Sequence, residues 1–266
     1  MNHYLRLIEY VRLLDHDLLT KLDARLTCSG LVALKYKAYR PLSVLTFLVP
    51  IQRYHDLIRA LNKRPQGFLA AEDKQVDFSV DRITISHVLD IGESEKFMVE
   101  VEPDDLSLVI QNPSIDVHPG LLGLHTEDLL TELFYWASHR SSTAPYGFLY
   151  DLALVVAHEL QENADQIVTA FNRVKELVMF MPYVLNNMLD PKERVEGRTS
   201  SDLIELGASA DERFLMFYGL GAVRTLVNSD PTMTRVALES YRYHQRNSAI
   251  GLMRQQEMAL GPKKKH

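Results

Sequence analysis

Cysteine is almost absent from this chain of 266 residues: Cys28 stands alone, so no disulfide forms within the chain and no all-cysteine metal site exists. Glycine and proline, at 12 and 11 residues, are too few for a collagen-like or low-complexity protein. Long uncharged runs are missing too. The longest, Pro41 to Gln52 and Leu177 to Leu189, fall well short of a bilayer-spanning helix. Charges at Arg6, Glu9, Arg12, Asp15 and Asp17 interrupt any signal-peptide core, and Asn2 stands where myristoylation needs glycine. Net positive charge is also lacking, with 29 basic against 35 acidic residues. What remains is 46% hydrophobic and 24% charged, the composition of a soluble, intracellular globular chain. Its length buries a core without staples, in one large domain or two ordinary ones.

Charge is distributed unevenly. Residues 1–64 carry eleven basic and five acidic residues, 65–165 carry four and nineteen, and 166–266 carry fourteen and eleven. The order is basic, strongly acidic, mildly basic. Such segregation suits anionic ligands at one end, or self-association of unlike regions.

Apolar residues recur at three- and four-residue intervals from Leu5 to Leu26, which predicts a helix over about 3–26, closed by Cys28-Ser29-Gly30. A second helix is expected over 31–39 and an apolar one from Leu42 to Asn62, kinked or restarted at Pro50. The middle alternates: Val76, Phe78 and Val80; Ile83, Ile85 and His87; Phe97, Val99 and Val101; then Leu106, Leu108 and Ile110. That pattern predicts about four short antiparallel strands. Helices return over 126–139, over 147–188 with a break near Pro182, from Ser209 to about 227, and from Pro231 to Leu260. The fold expected is α+β and helix-dominant. Its parts are a basic helical region (1–66), an acidic β-rich segment (67–120) and a C-terminal helical region (121–266).

No catalytic motif of high specificity is present. His158-Glu159 opens His-Glu-Leu-Gln-Glu, but Glu162 occupies the place where a zincin needs its second histidine. An enzyme using His158 and Glu159 would need partners distant in sequence. Nothing local activates Cys28, which reads as a partly buried helix-end residue. Gly219-Leu220-Gly221 lies inside a helix pattern and reads as a packing contact rather than a phosphate loop. Asp104-Asp105 lacks the spaced ligand set of a calcium loop and reads as a solvated turn. No metal and no cofactor is expected.

Basic residues carry the strongest pattern. Lys35, Lys37 and Arg40 interleave with Tyr36 and Tyr39, and Arg53, Arg59, Lys63 and Arg64 follow beside His55. Clustered cations with aromatic rings between them suit phosphate or anionic-lipid contact. Arg242, Arg246, Arg254 and Lys263 to Lys265 form a second basic group.

Two stretches resemble the matrix proteins of orthomyxoviruses. Arg40-Pro41-Leu42-Ser43 through Leu45-Thr46-Phe47-Leu48-Val49-Pro50 to Ala60-Leu61-Asn62 is similar to that family's apolar helix, proline and basic helix. Leu154-Val155-Val156-Ala157 through Gln161 and Ala164-Asp165 is similar to another of its helices. The family is essentially all-helical and its better-known members are basic, so the strand pattern and the net charge of −6 depart from it. The resemblance implies a non-enzymatic assembly protein at the inner face of a viral envelope. Such a protein self-associates and binds anionic lipid headgroups and ribonucleoprotein, with Arg53, Arg59, Lys63 and Arg64 at the matching basic positions. The alternative is a regulatory or adaptor module that dimerises through its helices and binds a protein or ligand through its β segment.

Overall fold

In a computed structural model the described residues are 3–38, 44–61, 76–79, 84–90, 96–104, 109–138, 145–178, 210–230 and 232–260, with Leu42 and Leu185. The helices are α1 (His3–Arg12), α2 (His16–Lys21), α3 (Cys28–Tyr36), α4 (Ile51–Leu61), α5 (Thr126–Ser138), α6 (Pro145–Glu159), α7 (Ala164–Leu177), α8 (Ala210–Val227) and α9 (Thr234–Leu260). The strands are β1 (Arg25–Leu26), β2 (Val44–Pro50), β3 (Val76–Ser79), β4 (Thr84–Asp90), β5 (Lys96–Asp104), β6 (Ile115–His118) and β7 (Leu121–Gly123). They form one sheet in the order β3-β4-β5-β2-β1-β7-β6, with strands from all three charge segments. The expected α+β, helix-dominant class holds, and β3, β4 and β5 form the antiparallel run the alternation predicted. The sheet as a whole is mixed, since β2 pairs parallel with β5 and β1 pairs parallel with β7.

The expected apolar helix from Leu42 is instead a strand. Val44 to Pro50 is β2, the middle strand of the sheet, with helix α4 starting at Ile51. Its sequence, Val-Leu-Thr-Phe-Leu-Val-Pro, is rich in β-branched and aromatic residues that fit a pleated surface. Leu45 and Phe47, fully buried, sit in register with Val99 and Val101. Burying a side chain the size of Phe47 stabilises by about 2–3 kcal/mol.

The expected helix over 3–26 is also divided. Asp15 caps a new helix, its carboxylate accepting from the Leu18 amide at 3.0 Å, and Asp23 at φ 51° ends it. Arg25 and Leu26 then enter the sheet, and Cys28-Ser29-Gly30 opens α3 instead of closing a helix. Pro113 to Gly123, expected as loop, holds β6 and β7, joined at Pro119-Gly120 where Gly120 takes φ +74°. The long apolar stretch breaks at 160–163, between α6 and α7; Pro182 lies outside the described residues. Leu106 and Leu108 lie outside them as well, and Ile110 is in no strand. The last helix starts at Thr234, three residues later than expected.

Helix α6 is the centre of the helical layer, buried from Leu149 to Ala157 and packed on α3, α5 and α8. Gly219 lets α8 approach α6 backbone to backbone, since a Cβ there would stand 1.8 Å from the Ala153 carbonyl oxygen. The packing role expected of Gly219 and Gly221 is what they perform. No helix among the described residues is long and apolar enough to cross a membrane.

Candidate functional site

The sequence-predicted basic residues are dispersed. Lys35 turns inward, its Nζ 2.6 Å from Thr126 Oγ1 and 3.5 Å from Glu159 Oε1. Lys37 caps α3 at φ 55° and is exposed. Arg53 and Arg59 are exposed and share Asp56 at 3.7 and 3.9 Å, pairs that contribute little to stability in water. Arg40, Lys63 and Arg64 lie outside the described residues, and no hydrogen bond or ion pair among the described residues joins α3's lysines to α4's arginines. At the other basic group, Arg242 donates to the Leu160 and Gln161 carbonyls and Arg246 to the Gln161 side chain. Both arginines thus close the C-terminal end of α6, where the helix leaves carbonyls without partners.

His158 is exposed, its ring 5.4 Å from Tyr36, and burial lowers its pKa. Glu159 is buried and accepts from Tyr36 Oη at 2.5 Å, from Asn163 Nδ2 and from Lys35. Burial raises the carboxyl, but those donors outweigh it and hold the group below its usual value. This arrangement ties α3 to α6 and leaves Glu159 no role as a base. Asp104, expected in a solvated turn, is buried and accepts from the Val109 and Ile110 amides.

A different cluster, which sequence reasoning missed, lies where β1 runs into α3. Thr27 donates its amide to the Thr46 carbonyl at 3.0 Å and is fully buried, with no partner for Oγ1. Cys28 follows at φ +46°, a left-handed conformation that costs a non-glycine residue about 1–2 kcal/mol. The Cys28 amide donates to Glu132 Oε2 at 3.3 Å, and Ser29 Oγ donates to Asp151 Oδ2 at 2.5 Å. Glu132 is 3% exposed and Asp151 1%. Burial raises Glu132 to about 8, and Glu102 adds to the effect, against hydrogen bonds from Cys28 and the Trp136 indole. At neutral pH Glu132 is therefore a neutral acid. Burial, with Glu132 and Asp151 nearby, likewise pushes the Cys28 thiol up, so it is not a thiolate nucleophile.

The sheet supplies the other half. Val99 and Val101 are fully buried, which turns Glu100 and Glu102 to the opposite, half-buried face. Thr46 pairs with Glu100 and Leu48 with Glu102. Two carboxylates two residues apart on one strand thus stand beside the first turn of α3. Their signal was in the sequence, as glutamates alternating with valines in a strand pattern. Glu132 among Leu129, Leu130 and Leu133, and Asp151 in an apolar helix, were the others.

No family model and no curated protein matches the chain. Solved structures similar to it include a protein from H. pylori assigned as a nucleotidyltransferase, at 12% identity and TM-score 0.45 over 95% of this chain and 98% of that one. JHP933 from Helicobacter pylori matches at 14% identity and TM-score 0.46, over 95% and 99%. An antigenic nucleotidyltransferase-like protein from Paracoccidioides brasiliensis matches at 11% and 0.35, over 64% and 89%. Likeness at this level assigns no chemistry to the present chain. The reading as a viral matrix-type structural protein of the virion is corrected: the apolar helix that carried it is strand β2 of a mixed sheet, and the similar structures are nucleotidyltransferase-like proteins.

Proposed function

We propose that this protein binds a divalent cation together with a phosphate-bearing ligand where β5 meets the first turn of α3. The observation that carries this reading is the juxtaposition of Glu100 and Glu102 with a helix N-terminus that begins Cys-Ser-Gly. Magnesium is commonly held by one or two carboxylates, its remaining positions filled by water and by the ligand's phosphates. Among the described residues no three His, Cys, Asp or Glu side chains form a preformed metal cluster, which suits a cation brought with its ligand. The first amides of α3 have no acceptor within the helix and lie at its positive end, the arrangement that receives phosphate oxygens. Ser29 adds a hydroxyl, and Gly30 adds no bulk. The neutral form of Glu132 matters here, because an ionised carboxylate at that helix end would repel an anion.

A further reason is where the protein tolerates local costs. A left-handed cysteine, a buried hydroxyl without a partner and a buried neutral carboxyl all fall within one short stretch of structure. Strain and unsatisfied groups concentrate at sites kept for binding rather than for stability. No reaction is assigned to the site.

Calorimetry with magnesium plus tripolyphosphate, and with magnesium plus adenosine triphosphate, tests the reading. Binding of at least one is expected, together with its loss on addition of a chelator and in the double variant Glu100→Gln, Glu102→Gln. Absence of heat with both at millimolar concentration, or binding unaffected by the chelator, overturns it.

A further inference from the structure

We propose that the phosphate-bearing ligand is a nucleotide, its base stacked on an aromatic shelf formed by Trp136 and Phe148. This rests on the cation–phosphate reading above and names the class of ligand for that site.

The shelf's position follows from how α3 lies against α5 and α6. At its C-terminal end α3 meets the start of α5 and the end of α6: Lys35 touches Thr126, and Tyr36 touches Glu159. At its N-terminal end the partners are Glu132 on α5 and Asp151 on α6. Moving along α3 toward its N-terminus therefore moves forward along α5 and backward along α6. One further turn, about 5.4 Å, passes the end of α3. It arrives at Trp136, four residues beyond Glu132, and at Phe148, three residues before Asp151.

These two side chains meet there. Their ring centroids are 5.9 Å apart at an interplanar angle of 22°, and Tyr135 sets its ring edge-on to Trp136 at 5.4 Å. Both Trp136 and Phe148 are half-buried, so the stack reaches the surface. The Trp136 indole N–H bonds to the Glu132 carboxyl, which fixes the ring relative to the helix end where phosphate is received. An anion site at a helix N-terminus with a near-parallel aromatic pair one turn beyond it matches a phosphate and a planar base on one ligand. Every nucleobase has a face that stacks on such rings, so the shelf selects nucleotides over bare phosphates without selecting among bases.

Trp136 is the chain's only tryptophan, so its fluorescence reports on the shelf directly. Fluorescence and calorimetric titrations with magnesium plus adenosine triphosphate are compared with magnesium plus tripolyphosphate. Expected are quenching by the nucleotide alone, and a nucleotide affinity roughly 5- to 150-fold above that of tripolyphosphate, the range of one base–aromatic stack. Trp136→Leu removes that preference. Should it fail to fold, Phe148→Leu retains the reporter and is expected to reduce both the preference and the quenching. Equal affinities without quenching overturn the nucleotide assignment and leave the cation–phosphate reading in place. No binding by either ligand overturns both.

Discussion

Glu132 gives the sharpest test of the energetics at the β1–α3 junction. The carboxyl holds its proton up to about pH 8 in the folded protein, against an ordinary value of 4.5. Between those values the unfolded chain has released the proton and the folded chain has not, so stability falls as pH rises from about 4.5 to about 8 and is level above. A gap of about 3.5 pH units, at about 1.4 kcal/mol per unit, amounts to about 5 kcal/mol. Glu132→Gln keeps the shape and the acceptor for the Cys28 amide but does not titrate. Urea unfolding of both proteins at pH 5 and pH 8.5 isolates the effect. Glu102, Asp151 and Cys28 lie near Glu132, and because both proteins carry them their titration largely cancels in the difference. The wild type is expected to lose about 4 kcal/mol relative to the variant between the two pH values. Parallel losses would refute the reasoning, because Glu132 would then be ionised in the folded chain at neutral pH.

Two further outcomes follow from the packing. Gly219→Ala is expected to cost about 3 kcal/mol or more, because its Cβ meets the Ala153 backbone, whereas Gly221→Ala meets the movable Tyr241 hydroxyl and costs less; thermal unfolding of the pair checks the order. Tyr36→Phe removes a donor from Glu159 and raises that carboxyl. Since a lowered carboxyl stabilises above its unfolded pKa and loses this as pH falls, the acid unfolding limb is expected to move to higher pH, read by circular dichroism on lowering pH.

Much of the helical part was legible in the sequence because periodicity and caps agree there. Helix α5 starts at Thr126 with Glu127 and Asp128 in its first turn and ends within one residue of expectation. Strand β2 was not legible for a physical reason. Its apolar residues are consecutive rather than alternating, because a central strand is buried on both faces, and such a run has no period to distinguish it from a buried helix. The proline that resembled a helix end is the last residue of the strand. Short strands were missed because β1 has two residues and β7 three, too few to show any pattern.

The acidic middle segment was read as a charged face, and the folded chain uses much of it otherwise. Asp104, Asp128, Glu132, Asp151 and Glu159 all come from that segment and are all buried. Asp128 accepts from the Gln111 and Asn112 amides and from Arg173, and so closes a loop onto α5 and α7. Glu132 carries no charge at neutral pH, so it adds nothing to the field that a sequence count assigns to it. Counting formal charges along a sequence assumes that each sits in water, and burial removes that assumption first where carboxyls interrupt an apolar helix face. Glu132 and Asp151 are such interruptions. An acid at a core position of a helix is costly unless something in the fold receives it, and here the receiving groups are the first residues of α3. The same two positions that break the helical pattern therefore mark where the candidate site lies, a signal carried by the mismatch between residue and position rather than by any motif.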